Sequence, residues 1–171
     1  MADRMTERKQ GLLLSLMVAA STLIEGGKLV GINAAGYAVE GSDGTAVKII
    51  GIANERVDNS AGADGAKRVR VYSGQLFKLD NSADNAVDIA DIGTLVFVED
   101  DETVADVVGT NGIAAGLCVD VVSDGVWVMI PAGMPQVPAQ ADSVAADTAA
   151  VVVDLNALLA KLRAAGVMRN A

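Results

Sequence analysis

The sequence predicts a mainly β protein, a small β-barrel or β-sandwich followed by a proline linker and a C-terminal oligomerising α-helix. Short runs rich in β-branched residues recur between positions 12 and 130, with Gly, Asn, Asp or Ser turns every 8–12 residues. All three prolines then fall within positions 131–138, where they end the last strand. Beyond them, apolar residues recur at alternating steps of three and four, which is the spacing of a helix stripe.

Residues 1–24 are predicted to form an N-terminal arm and the first strand. Three basic residues, Arg4, Arg8 and Lys9, precede an apolar run at 12–24, an order that also fits a secretory signal. Two serines and a threonine interrupt the run and a glutamate follows it, so a strand with a polar leader is the preferred interpretation. The run is too short for a transmembrane helix.

Residues 25–130 are predicted to form the β body. With the first strand included, the candidate strands are 12–18, 28–33, 37–39, 47–53, 67–72, 75–79, 94–99, 103–106, 116–122 and 126–130. Two longer polar stretches, 55–66 and 80–91, are predicted surface loops. The first is long for a hairpin connection, which favours a binding loop.

Two turns are predicted to close β-hairpins. Asp124-Gly125 supplies residues suited to a type I′ turn between strands ending in VV and beginning with VWV. Ser73-Gly74 separates two alternating runs, in which Val69, Val71 and either Leu76 or Phe77 would face the core. Arg68 and Arg70 would then point outward.

Residues 131–142 are predicted to be a proline-rich linker and 143–166 a helix, with Asp142 or Ser143 as its N-cap. The predicted a/d positions for oligomerisation are Val144, Thr148, Val151, Leu155, Leu158, Leu162 and Ala165. Val152 and Leu159 widen the apolar face, which suits a trimer. A helix folded back onto its own β body is the alternative interpretation.

Composition excludes several kinds of chemistry. The 171 residues contain no histidine and a single cysteine, so a Ser-His-Asp triad, an imidazole metal site and an intrachain disulfide are excluded. The net charge is −9, and residues 11–133 alone carry −10, which argues against nucleic acid as a partner. Aromatic residues make up only 3%, so the core must consist of Val, Ile, Leu and Ala.

No residue cluster points to catalysis or a cofactor. The acidic run 99–102 is predicted to be a hairpin tip, and 80–88 lacks the glycine and closing glutamate of a calcium loop. Gly109, Gly112 and Gly116 match no phosphate-binding motif and are predicted turn glycines, while Cys118 is predicted to be a small buried hydrophobe. We therefore expect no enzyme activity, no metal and no cofactor.

The only basic cluster of the body is predicted to contact an acidic surface of a protein partner. It consists of Arg56, Lys67, Arg68 and Arg70. Three of these residues, Lys67, Arg68 and Arg70, fall within four consecutive positions of the chain.

The chain resembles the small capsid decoration, or cement, proteins encoded beside the major capsid gene in Mu-like phages. The similar segments are IANERVDN (52–59), GADGAK (62–67), DIG (91–93), VEDDETVA (98–105), AG (115–116), VDV (119–121) and GVWV (125–128). They fall within residues 1–130. The tail, 140–166, is similar to C-terminal segments of phage head-fibre proteins.

The resemblance implies a β-barrel or sandwich that binds the outside of an expanded head, often as trimers. The implied partners are the major capsid protein and a second and third copy of this chain, with no nucleic acid and no membrane. The implied location is the capsid exterior of the virion, after assembly in the host cytoplasm. The candidate capsid contacts are Arg4, Arg8, Lys9, Leu12, Leu14, Leu16, Arg56, Asp58 and Asn59.

Two other functions stay open. The first is a head-fibre or adhesin-like binding module, with the β body as receptor-binding surface and the helix as stalk. The second is a secreted hydrolase or carrier domain, which the signal-like start would allow but the missing catalytic groups disfavour.

Overall fold

The computed structural model describes residues 13–44, 47–132, 143–144, 146–165 and 167–168. The chain divides into a β unit, Met1–Met134, and a helical unit, Pro135–Ala171. The predicted fold class is confirmed, and of its two forms the barrel is the one found: five strands close on themselves, and a further sheet of five strands belongs to the same unit.

Twelve strands, one 3₁₀ turn and one helix make up the described secondary structure. The strands are β1 (Leu13–Met17), β2 (Thr22–Ile24), β3 (Leu29–Ile32), β4 (Ala38–Glu40), β5 (Lys48–Ala53), β6 (Val57–Asn59), β7 (Arg68–Tyr72), β8 (Gln75–Asn81), β9 (Leu95–Val98), β10 (Thr103–Ala105), β11 (Ala114–Val122) and β12 (Gly125–Ile130). The 3₁₀ turn is Ile89–Asp91, and the helix α1 is Thr148–Ala164. All ten predicted strands are present, with ends that differ by one or two residues.

The first sheet, called the open sheet below, has the order β1-β7-β5-β3-β4 and is antiparallel throughout. Strand β1 lies at one edge, paired only with β7 among the described strands. A separate antiparallel pair, β2 and β6, belongs to the same unit. Each of these two strands has only three residues, and neither was predicted.

The barrel has the order β10-β8-β12-β11-β9 and closes where β9 pairs with β10. All pairings are antiparallel except that of β8 with β10. The hairpin of β11 and β12 was predicted correctly, but its turn type was not. Its two turn residues are Ser123 and Asp124, and the positive φ, +149°, belongs to Gly125 as the first residue of β12.

The predicted hairpin at Ser73-Gly74 is wrong, because β7 and β8 do not pair. Strand β7 lies in the open sheet and β8 in the barrel, so these two residues form the corner between the sheets. The Ser73 hydroxyl is buried and donates to the Ile50 carbonyl at 2.6 Å. The Gly74 N–H donates to the Ile130 carbonyl at 2.8 Å, with a φ of +67° that suits glycine. Tertiary contacts thus hold the two strands apart.

Two hydrophobic cores lie on opposite faces of the open sheet. Successive residues of β5 divide between them: Ile49 packs in the core of the barrel and Ile50 in the second core. Val69 and Val71 lie in the second core, as predicted for inward residues of β7. Phe77 packs against the barrel core while Leu76 is exposed, which decides the choice that the sequence left open.

Helix α1 begins later than predicted. Its N-cap is Asp147, whose carboxylate accepts the Ala150 N–H at 2.9 Å. Ser143 precedes the helix, and the other predicted N-cap, Asp142, lies outside the described residues. The apolar spacing begins before the helix does, so spacing alone placed the start one turn too early.

Candidate interaction surfaces

Strand β1 exposes an unpaired sheet edge. Its register with β7 pairs Leu13 with Tyr72 and Met17 with Arg68, and no other described strand pairs with Leu13–Met17. The next residue, Val18, forms a parallel bridge with Ala38 of β4, so the open edge ends there. Unpaired N–H and C=O groups on such an edge can accept a further strand from another chain. The preceding residues include Arg4, Arg8, Lys9 and Leu12, which lie outside the described part of the chain.

Leu14 and Leu16 are not the outward side chains of β1. They are half-buried against the second core, where they lie opposite Val71 and Val69. Side chains alternate along a strand, so the outward ones are Leu13, Ser15 and Met17. As contact candidates, Leu14 and Leu16 are therefore replaced by Leu13 and Met17.

Asn59 is not available as a surface contact either. It is only 1% exposed, and its amide nitrogen donates to the carbonyls of Ala19 at 2.8 Å and Ala63 at 3.0 Å. These bonds tie residues 19 and 63 to Asn59 at the end of β6. Both Asn59 and residue 63 belong to the predicted loop 55–66. A buried amide that satisfies two carbonyls is a structural residue.

Arg56 and Asp58 remain exposed on the same segment. The Asp58 carboxylate accepts the Ser60 hydroxyl, and also the Ser60 N–H at 3.0 Å. These bonds, that of the Ser60 side chain first, lower the pKa of Asp58 below its ordinary value. Asp58 therefore presents a fixed negative charge, and Arg56 a positive one nearby in the chain.

Most of the predicted basic cluster is engaged within the chain itself. Arg70 makes a bidentate ion pair with Glu55, in which its Nε and Nη2 donate to the two carboxylate oxygens at 2.8 and 2.9 Å. This hydrogen bonding lowers the pKa of Glu55. Arg68 donates to the Ser15 hydroxyl at 2.9 Å and to the Ser15 carbonyl at 2.7 Å. Lys67 bonds the Asp58 carbonyl. These contacts fasten β1, β6 and β7 to one another.

Helix α1 has no fully buried residue among those described. Four predicted a/d residues lie on it beyond its first position: Val151 and Leu155 are exposed, and Leu158 and Leu162 are half-buried. Thr148 is its first residue and Ala165 its C-cap. Val144 is 95% exposed and precedes the helix, so the heptad pattern on α1 begins at Thr148.

The acidic run 99–102 is the tip of a hairpin, as predicted. Asp100 is exposed, and partial desolvation alone would raise its pKa, but hydrogen bonds from Glu102 and Thr103 outweigh this and hold that pKa below its ordinary value. The Lys28 ammonium group bonds the Glu102 carboxylate, and its Nζ lies 3.6 Å from Oδ1 of Asp101. The Leu29 N–H also donates to the Asp101 carbonyl at 2.7 Å. These contacts hold the tip against the start of β3, so its acidic residues have a structural role.

The remaining candidate chemistry is structural where the chain is described. Cys118 is buried, and that burial raises the pKa of its thiol. Gly112 lies in a turn with a φ of +66°, but Gly116 lies inside β11, where a Cβ would meet the Met129 carbonyl oxygen at 2.3 Å. The described residues contain no cluster of three metal-binding side chains, and no described helix is long and apolar enough to cross a membrane.

A surface that the sequence did not reveal lies on the outside of the barrel. Leu117 of β11 lies directly opposite Met129 of β12 and Leu95 of β9, and Met129 lies opposite Leu76 of β8. We call these four residues, with Trp127, the barrel row. Strand alternation could have predicted that each faces outward, but only the strand order brings them together.

Comparison with known proteins adds no relative. No family model matches the chain, and neither curated proteins nor solved structures show a match.

Proposed function

We propose that this chain is a phage capsid decoration protein, which binds the outer surface of the expanded head and joins neighbouring major capsid subunits. The observation that carries the proposal is the edge of β1, where Leu13–Met17 pair with β7 alone among the described strands and follow a basic N-terminal segment in the sequence. An edge strand of this kind suits β-augmentation, in which main-chain hydrogen bonds join two chains. The resemblance of residues 1–130 to cement proteins supports the same role.

Decoration stabilises a shell because the protein binds the assembled form only. By mass action, such binding lowers the free energy of the assembled shell relative to its dissociated subunits. A trimer would strengthen this effect, because three weak contacts on one particle act at a high effective concentration. The proposal includes no catalytic step and no cofactor, and it places the protein on the virion exterior after assembly in the host cytoplasm.

The apolar stripe of α1 supports self-association as a homotrimer. A helix of 17 residues is marginal alone in water, and Val151, Val152 and Leu155 are exposed on it. We expect Leu155→Asp with Leu158→Asp to convert trimers to monomers in analytical ultracentrifugation. Asn156→Asp with Ala160→Asp adds the same charge at exposed helix positions and should leave the trimer intact. An unchanged mass in the first variant would refute the helical trimer.

The central experiment is co-sedimentation with expanded heads assembled without this chain. Saturation near one copy per major capsid subunit is the expected result, and absence of binding would refute the proposal. Leu13→Lys with Met17→Lys tests the edge, because lysines on edge strands discourage strand addition. We expect at least tenfold weaker binding. Ala34→Lys with Ala35→Lys, in the exposed turn between β3 and β4, makes the same charge change outside the barrel and should bind like the wild type.

A head fibre or adhesin-like module is the second candidate, favoured by the division into a β unit and a helical unit. In that role the helical unit would be a stalk and the β unit a receptor-binding surface. Copy number separates the two candidates. A cement protein approaches the abundance of the major capsid protein, whereas a fibre would saturate at a few tens of copies per head.

A further inference from the structure

The barrel row forms a continuous apolar band across four neighbouring strands. Its five side chains are each 36–46% exposed. Directly opposite side chains in a sheet lie about 5 Å apart. The four aliphatic residues are therefore neighbours from strand to strand, in the order Leu76, Met129, Leu117 and Leu95. Trp127, the only tryptophan of the chain, lies two residues from Met129 on the same face of β12. Together they expose on the order of 400 Å² of apolar surface, the size of a functional patch.

The segment that forms the barrel is strongly acidic, with Asp120 and Lys78 lying opposite Trp127 on its two neighbouring strands. Residues 75–130 contain eleven Asp and Glu but one basic residue, Lys78. The formal charge of this segment is −10. The ammonium group of Lys78 bonds Asp124 and lowers the pKa of that carboxyl, and Lys28, from outside the segment, pairs with Asp101 and Glu102. The preceding residues of the unit, 13–74, contain six acidic and six basic residues. The negative charge of the chain is therefore concentrated on the half that carries the barrel row.

This charge distribution decides what can cover the row. A second copy of the barrel would bring two surfaces of like charge together, which disfavours a barrel-to-barrel contact. A complementary partner has an apolar centre surrounded by Lys and Arg. The apolar area is about half of what one side of a stable interface buries, so a charged rim must contribute the rest.

We propose that the barrel row is a docking surface for a protein partner with an apolar centre and a basic rim. This inference rests on the proposed function, in which that partner is the major capsid protein. Trp127 is the expected anchor of the contact, because exposed aromatic residues at the centre of an interface carry a large share of the binding energy. The row and the β1 edge would then be two separate contacts of one decoration protein.

The test uses the same expanded heads and a variant with Leu117→Thr and Met129→Thr. Threonine is favoured in strands, and both side chains face outward, so the barrel should fold; circular dichroism and the unfolding midpoint check this. We expect binding at least tenfold weaker, and weaker wild-type binding as the salt concentration rises from 50 to 500 mM. Val107→Thr with Val108→Thr is the matched control and should bind like the wild type.

The position of the row can be followed directly. With 7-azatryptophan in place of Trp127, the fluorescence of this position can be excited apart from the tryptophans of the shell, and its emission shifts with the polarity around the ring. We expect a blue shift on binding as the ring leaves water, and an unshifted spectrum on bound heads would overturn the inference.

The outcomes separate the two proposals. If the wild type fails to bind heads, the decoration function fails and this inference fails with it. If the wild type binds and the threonine variant binds equally well, only the inference is overturned. Binding that is insensitive to salt would overturn the basic rim. A smaller oligomer for the threonine variant in ultracentrifugation would instead assign the row to contacts between copies of this chain.

Discussion

Replacement of Asn59 tests whether the segment 55–66 is organised from within. In the wild type, the Asn59 amide nitrogen donates to the carbonyls of Ala19 and Ala63, and the side chain is 1% exposed. Asn59→Ala removes both donors and leaves two carbonyl groups without this partner. We expect the variant to fold, but with lower stability.

The magnitude follows from the two bonds. Each buried hydrogen bond contributes about 1 kcal/mol net, and an unsatisfied carbonyl adds a desolvation cost. The Asn59 side-chain oxygen has no partner in the described structure, so its removal offsets part of the loss. The expected change is about 2–3 kcal/mol, which lowers the melting temperature by about 10 °C for a domain of this size.

Urea denaturation followed by circular dichroism measures this change. Asn85→Ala is the matched control, because Asn85 is exposed and its described hydrogen bonds are made by its backbone. We expect the control to lie within 0.5 kcal/mol of the wild type. Equal stability of Asn59→Ala and Asn85→Ala would refute the structural role, and a loss of head binding at unchanged stability would restore Asn59 as a contact residue.

Three further predictions concern the β unit. Gly125→Ala should destabilise the protein by about 2 kcal/mol more than Gly36→Ala in thermal unfolding. Both glycines have positive φ, but a Cβ at position 125 would lie 2.5 Å from the Leu79 carbonyl oxygen, whereas a Cβ at position 36 would have no atom within 4 Å. Equal losses of stability in the two variants would contradict this. Cys118 should react with a thiol reagent at pH 8 only after unfolding, because burial raises its pKa and shields it; rapid native labelling would count against the placement of β11. Glu40 is exposed, but partial desolvation and the nearby carboxylates of Asp101 and Glu25 raise its pKa, so the folded state holds that proton more tightly and stability falls as pH rises from the ordinary glutamate pKa through the raised one. Glu40→Gln should therefore flatten the stability profile between pH 4 and 7, and parallel curves for variant and wild type would refute this.

Local pattern predicted most elements but not their partners. The strand at 68–72 was predicted from clean alternation, and its inward Val69 and Val71 follow from that alternation alone. The Ser73-Gly74 turn has the composition of a hairpin, yet the chain turns there from one sheet into another. A buried hydroxyl bonded to Ile50, 23 residues away in the chain, holds this corner. No short-range signal contains that contact.

The residues of the candidate interaction surfaces show the same limit of local pattern. Alternation could assign Leu14 and Leu16 to one face of β1, but only the pairing with β7 shows that this face is the buried one. Asparagine is a residue type typical of surface loops, yet Asn59 is buried. It lies where the short strands β2 and β6 pair, and its amide donates to the carbonyl of Ala19, 40 residues away in the chain.

What the sequence alone determined is local: the β class, the positions where the chain turns, the absence of histidine chemistry, the acidic charge and the C-terminal helix. These properties depend on composition and on neighbours a few residues apart. The tertiary structure decided which strand is an edge, which face is buried, and that Leu76, Leu95, Leu117 and Met129 meet in one row. These four residues are spread over 54 positions of the chain, and hydrogen bonding between non-consecutive strands brings them together. Strand order is a property of the closed barrel as a whole, and no local pattern records it.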